Sequence, residues 1–369
     1  MQASLFRIFR GASLTTTTAA ASFTATATAG ATTAKTLSGS TVLRKLSEYS
    51  VYQQLNEDTN ATKYTYKLLQ LPSKILNQLE SKSTNLYIKS DINSLALCTD
   101  SETFKLRQMN HSNTVLLLNK EPDNKLIGFQ KTSYEYELTE IKGSIDTSDI
   151  PIFNGQTAQQ PIDLIALEDN SICSHQEFLS NWYELGGCEI DNGAYIMSAD
   201  IITELLYLLI TKLMSLQVHE FSPEDVSSII TPPYNDSMLT SIIHKFCTIE
   251  SEKYQLNDLK ITQWFGIVEM SKINHKMTDI SEFLLNWKTS LPSFYNPPLD
   301  ISQLAGYYCS PIENKILYVD PESLSENLSQ RFKELFELDK SWNYDEFIPF
   351  IKKFVPAGKK VDSIILNLS

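Results

Sequence analysis

The side chains of this chain with the plainest chemical bias are cationic and lie near its C-terminal end. Lys352, Lys353, Lys359 and Lys360 follow closely on Arg331, Lys333 and Lys340. Residues 340–369 hold five basic residues against three acids, Asp345, Glu346 and Asp362, in a chain whose net charge is -13. Pro356-Ala357-Gly358 leads into a predicted helix over Val361–Leu368. Lys359 and Lys360 thus stand at a helix N-terminus, where lysine and unsatisfied backbone N–H groups both favour phosphate. The chemistry on offer is binding to a nucleic-acid backbone, with Arg331, Lys340, Lys352, Lys353, Lys359 and Lys360 as the DNA-contacting set. A solvated helix face is the competing account.

Bond-making chemistry finds no such cluster. No GxxxxGK[ST] occurs, and Gly358-Lys359-Lys360 lacks the leading glycine and the hydroxyl residue of a Walker loop. There is no GxSxG elbow and no HExxH helix. The histidines His111, His175, His219, His244 and His275 are at least 25 residues apart, so a metal site from them would depend wholly on the fold. The acids form no pair in a recognisable site, and neither a catalytic residue nor a cofactor nor a metal is expected. Cys98, Cys173, Cys188, Cys247 and Cys309 are scattered singly, as buried small hydrophobes in a reducing compartment would be. Trp182, Trp264, Trp287 and Trp342 are expected in the core rather than at an interface.

Charge is unevenly spread. The first 47 residues carry Arg7, Arg10, Lys35, Arg44 and Lys45 and no acid, which leaves 26 basic residues against 44 acidic ones from Glu48 onward, a net of -18. Such a surface repels nucleic acid on average, so contact with DNA requires a local patch. Residues 1–60 are Thr/Ala/Ser-rich and read as a disordered low-complexity extension, with a mitochondrial presequence as the alternative.

The elements that would hold these groups fall into two styles. Over residues 61–165 the pattern is β-rich, a partner-binding domain with the form of an open barrel or sheet. Tyr64–Leu71 alternates, Pro72–Glu80 is a short helix and Leu86–Asp91 a strand. In Ser94–Leu118, Leu95 and Leu97, Phe104 and Leu106, and Val115 and Leu117 sit at period two, with turns at Asp100-Ser101-Glu102 and Asn110–Asn113. Leu126–Lys131 and Tyr134–Thr139 are two further strands.

Beyond residue 165 helices alternate with short hairpins. Ser174 and Glu177 form a capping box ahead of a helix carrying Phe178, Leu179 and Trp182, and Cys188–Met197 is a hairpin about Asp191-Asn192-Gly193. Ile201–Leu216 is a buried helix, because Glu204 and Lys212 interrupt its apolar run. Helices at Pro223–Ile230, Met238–Phe246 and Leu259–Met270 enclose a hairpin at Thr248–Leu256. Ile280–Trp287, a hairpin around Glu313-Asn314, Leu324–Phe336 and Asp345–Phe354 complete the series. Helices followed by a β-wing are the winged-helix pattern, predicted here as three tandem modules over 166–221, 222–298 and 299–369, with a plain helical repeat array as the alternative. The fold class is therefore α+β.

The run LCTDSETFKLRQMNHSNTVLLL, preceded by LLQLPSKILNQLE and LYIKS, resembles the Dcc-type sister chromatid cohesion subunit of the alternative replication factor C clamp loader. FLLNWKTSLP, RFKELFELDKSW and YDEFIPFIKKF are similar to the last third of that family, and the likeness spans roughly residues 60–369. The resemblance implies a non-catalytic, nuclear subunit. Its β-domain would join a small third subunit and the C-terminal tail of the large ATPase subunit in an intertwined barrel. Phe104, Leu106, Val115 and Leu117, within Thr103–Leu118, would be the barrel contacts. The winged helices would dock on the leading-strand DNA polymerase, around Ser174–Met197, and touch DNA around Lys352–Lys360, while the assembly acts on the sliding clamp. Family members continue into a basic hairpin where this sequence reads Leu368-Ser369, so the last wing is expected to be incomplete. The alternative is a stand-alone winged-helix DNA-binding or chromatin factor.

Overall fold

The computed structural model describes residues 50–53, 67–81, 83–91, 94–121, 125–157, 161–229, 231–232, 234–250, 252–274, 276–355, 361–362 and 365. The start of the low-complexity extension, Tyr64, His275, Lys359, Lys360 and most of the predicted last helix therefore lie outside the described residues. The protein is α+β and divides into two units, Met1–Gly143 with Asn170–Glu177, and Ser144–Asp169 with Phe178–Ser369.

The first unit is a sheet of β1 (Ser50–Gln53), β2 (Leu69–Gln70), β3 (Tyr87–Ser90), β4 (Leu95–Cys98), β5 (Thr103–Glu121) and β6 (Lys125–Ile141), with the short helix α1 (Ser73–Glu80) between β2 and β3. Strand order is β1-β6-β5-β4-β3, and β2 also pairs β6. Among the described residues it is an open sheet and not a closed barrel. The predicted turn at Asn110–Asn113 is not formed: those residues run on inside β5, and the ladder to β6 shifts register between Asn110 and Val115. Likewise Leu126–Lys131 and Tyr134–Thr139 belong to one continuous strand. Asn and Ser side chains favour turns locally, but fifteen cross-strand pairs between β5 and β6 outweigh that preference.

The second unit is mostly helical. It contains β7 (Ile152–Phe153), α2 (Leu164–Asn170) up to its last residue, α3 (His175–Glu184) from Phe178 onward, β8 (Gly187–Ile190), β9 (Gly193–Met197) and α4 (Ala199–Leu216). Then come α5 (Pro223–Val226), α6 (Asp236–Phe246), β10 (Cys247–Glu250), β11 (Lys253–Leu256), α7 (Asp258–Ile273), β12 (Thr278–Asp279) and α8 (Ile280–Ser290). Finally β13 (Tyr308–Ile312), β14 (Lys315–Tyr318), α9 (Leu328–Leu338) and α10 (Tyr344–Ile351) close the series, and a 3-10 turn carries Lys352–Phe354. The capping residues are those that satisfy free N–H groups: Ser198, Asn235, Asn257 and Asn327 each accept from the backbone of their own helix. The β8–β9 loop is Asp191-Asn192, both at positive φ, so Gly193 is a strand residue whose missing Cβ leaves room for Pro161.

α4 buries Ile201, Ile202, Leu205, Leu206, Leu209, Ile210 and Leu213, which at about 1.5–3 kcal/mol per side chain makes it the main core helix. That core runs from Phe153 through Trp287 to Ile316, and a second core of Cys309, Val319, Phe332, Leu335, Phe347 and Phe350 serves α9 and α10. Among the described residues no helix is long and apolar enough to cross a membrane.

Candidate functional site

In the first unit the local chemistry is a polar hub that ties the returning segment Asn170–Glu177 to the sheet. The predicted capping box is present: Ser174 Oγ donates to Glu177 Oε2 at 2.7 Å and accepts from the Glu177 N–H at 3.3 Å. The same carboxylate also receives Thr103 Oγ1 at 2.5 Å and the Gly143 N–H at 3.0 Å. Burial pushes the Glu177 pKa up, but hydrogen bonds from Thr103, Gly143 and Ser174 outweigh it and hold the carboxyl below its ordinary 4.5. A Cβ on Gly143 would lie 2.4 Å from the Cys173 Cβ, so the segment can approach this closely only at glycine. The hub is structural, because every group in it is spent on another.

The predicted barrel positions lie on β5. Phe104 and Leu117 are buried within the chain itself, and Leu106 and Val115 are half-buried. Phe104 stands between Leu97 of β4 and Glu140 of β6. The apolar surface left for another molecule is elsewhere on the sheet: Tyr87, Ile88, Leu95, Leu116 and Leu118 are all exposed. The period-two pattern picks out Leu95 but passes over Leu116 and Leu118, because it looks for one apolar face. The signal was the unbroken run Val115–Leu118, which is apolar on both faces of a ribbon. Among the described residues, β5 pairs with β4 only over Thr103–Lys105, so from Leu106 onward its outer edge carries unpaired backbone groups. Among the described residues the one strand ladder of β3 is to β4, which makes it the other end of the sheet.

In the second unit the predicted DNA-contacting residues divide. Arg331 is 1% exposed. Its Nε donates to the Phe350 carbonyl at 2.8 Å, Nη1 to Leu324 and Ser325 at 3.2 and 3.1 Å, and Nη2 to Pro321 at 2.8 Å. The expectation that Arg331 faces DNA is therefore corrected: its guanidinium fastens the end of α10 to the loop before α9. Lys340, Lys352 and Lys353 are exposed. Lys353 pairs with Glu326 at 2.7 Å and lies 5.2 Å from the centre of the Phe354 ring, which leaves it partly engaged. Lys359 and Lys360 are outside the described residues.

The region named for polymerase contact, Ser174–Met197, supplies α3, β8 and β9. Trp182 and Trp287 are buried, Trp264 and Trp342 half-buried, in keeping with core roles. Lys245, which sequence reasoning did not single out, is nearly buried; its ammonium donates to the Glu184 carbonyl at the end of α3, while Lys260 donates to the Lys245 carbonyl at 3.0 Å. Two lysines thus cap two helix C-termini. All five cysteines are buried and none is in a disulfide, and burial pushes the Cys188 thiol up to about 12. Among the described residues no group of histidines, cysteines and acids is placed to hold a metal ion.

A family model described as sister chromatid cohesion protein Dcc1 matches residues 66–351. The chain belongs to this family. Its match runs from just before β2 to the last residue of α10, so it takes in the β5–β6 ribbon and Arg331 and stops short of Lys352. The chain is 29% identical over 351 residues to the sister chromatid cohesion protein DCC1 of Saccharomyces cerevisiae, covering 82% of this chain and 92% of that protein. It is 25% identical over 352 residues to the probable sister chromatid cohesion protein DCC1 of Dictyostelium discoideum, covering 82% and 90%. It is thus a sister chromatid cohesion protein of the Dcc1 family.

Proposed function

We propose that this chain is a non-catalytic subunit of an alternative clamp-loader complex, which it links to the leading-strand DNA polymerase and to DNA. In that role it supports loading or unloading of the sliding clamp and sister chromatid cohesion in the nucleus. The observation that carries this reading is the β5–β6 ribbon, whose free outer edge and exposed Leu116 and Leu118 ask for strands from elsewhere. From Leu106 to Leu117 β5 pairs with β6 alone among the described residues, and β6 is flanked there only by β2 at Tyr136 and Glu137, a narrow ribbon that is marginal in water. Strands from the large ATPase subunit and the small third subunit would complete it as a barrel, with Phe104, Leu106, Val115 and Leu117 in the wall.

The helical series is read as winged-helix modules, with β8–β9, β10–β11 and β13–β14 as the wings. Ser174–Met197 would then meet the polymerase, and Lys340, Lys352 and Lys353, with Lys359 and Lys360, would meet DNA. Co-expression with a replication-factor-type large ATPase subunit and its small companion tests the reading. The expected outcome is a single co-eluting species at moderate salt. Elution of the chain alone, with nanomolar sequence-specific binding to duplex DNA, would instead support a stand-alone DNA-binding factor.

A further inference from the structure

Phe294 is the most exposed large apolar side chain among the described residues, at 91%, and its backbone φ is +72°. Both features work against folding. A positive φ suits glycine or asparagine and strains a bulky side chain, and an exposed ring buries nothing. Yet the turn that presents it is firmly built. The Tyr295 N–H closes onto the Pro292 carbonyl at 3.1 Å, Leu291 and Pro292 are buried, and the buried Tyr295 donates its hydroxyl to Asp258 Oδ1 at 2.6 Å. A ring held out by fixed neighbours is suited to contact rather than to packing at home.

Beside the turn lies a cavity of about 280 Å³ walled by Leu284, Leu291, Tyr295, Pro297 and Leu299, with Lys288 as the charged group in its wall. Among the described residues no carboxylate pairs with Lys288. Leu285, one turn before Lys288 on α8 and 63% exposed, extends the apolar surface. A cavity of this size admits an aliphatic side chain, and an unpaired cation on a chain that is net negative from Glu48 onward selects a carboxylate next to it. Nucleic acid fits less well, because its backbone calls for several cations and this wall offers one.

We propose that Phe294, Leu285 and Lys288 form a docking site for a short segment of another protein that carries an aliphatic side chain beside an acidic one. The site is independent of the β5–β6 ribbon and of the basic C-terminal residues. Panning the full chain against a displayed library of random peptides tests it. Peptides sharing an aliphatic–acidic pair should be enriched, and Phe294→Ala should weaken the best of them about thirty-fold or more, as truncation of an aromatic anchor does. Lys288→Glu should turn the preference from acidic to basic residues. Phe294→Gly, which relieves the strained φ, should leave the melting temperature unchanged or higher and so show that the weakened binding does not come from unfolding. Enriched peptides indifferent to Phe294→Ala would overturn the proposal. So would Phe294→Ala weakening oligo(dT) binding while no peptide is selected, since the ring would then be a base-stacking platform.

Discussion

Four backbone carbonyls converge on the Arg331 guanidinium, and no other side chain has the planar fork to serve them together. Leaving buried acceptors empty costs about 1–3 kcal/mol each, so Arg331→Met should lower stability by about 3 kcal/mol or more in denaturant titration. Arg331→Lys should rescue little of that, whereas a surface phosphate contact would tolerate lysine. The burial of Arg331 was legible in part: it lies one residue before Phe332 and four before Leu335, on the apolar stripe of α9. Its cluster with later lysines obscured that signal. Glu177 carries a second prediction. Its folded-state pKa is held below 4.5, so its stabilising contribution is full above that value and is lost as pH falls through the lower folded value. Urea titrations should show Glu177→Gln clearly weaker than the parent at neutral pH, with the gap narrowing as pH falls below 4.5 and the carboxyl becomes protonated in the folded chain.

At the scale of elements, helices and hairpins beyond residue 165 were largely readable, because their caps are local chemistry. Ser174 with Glu177 gave the start of α3, and Asp191-Asn192 gave the β8–β9 turn within one residue. The length of β5 was not readable. Asn110–Asn113 reads as a turn unless the pairing of distant β6 is known, and ladder energy arises from residues far apart in sequence. The same ribbon supplies a test of assembly. Leu116→Asp combined with Leu118→Asp should change the unfolding free energy of the lone chain by less than about 0.5 kcal/mol per site, as exposed substitutions do. The pair should nevertheless abolish co-elution with the proposed partner subunits.

For the whole molecule, the net charge of -13 sets the terms of any DNA contact. With Arg331 withdrawn into the core, the exposed cations described near the end of the chain are Lys333, Lys340, Lys352 and Lys353. Binding to duplex should be weak, indifferent to sequence and steeply salt-dependent. Lys352→Glu with Lys353→Glu should reduce both the affinity and the salt slope in fluorescence anisotropy, the slope falling by roughly one for each phosphate no longer neutralised.

We propose that this chain is an assembly subunit whose open ribbon is completed by other chains. Hydrogen–deuterium exchange over β5, compared between the lone chain and the co-purified complex, tests it most directly. Thr103–Lys105 lies between β4 and β6 and should be protected in both, an internal control. From Leu106 to Leu118 the outward amides should exchange rapidly in the lone chain and become protected on assembly. A complex that forms while those amides stay as fast as before would contradict the account.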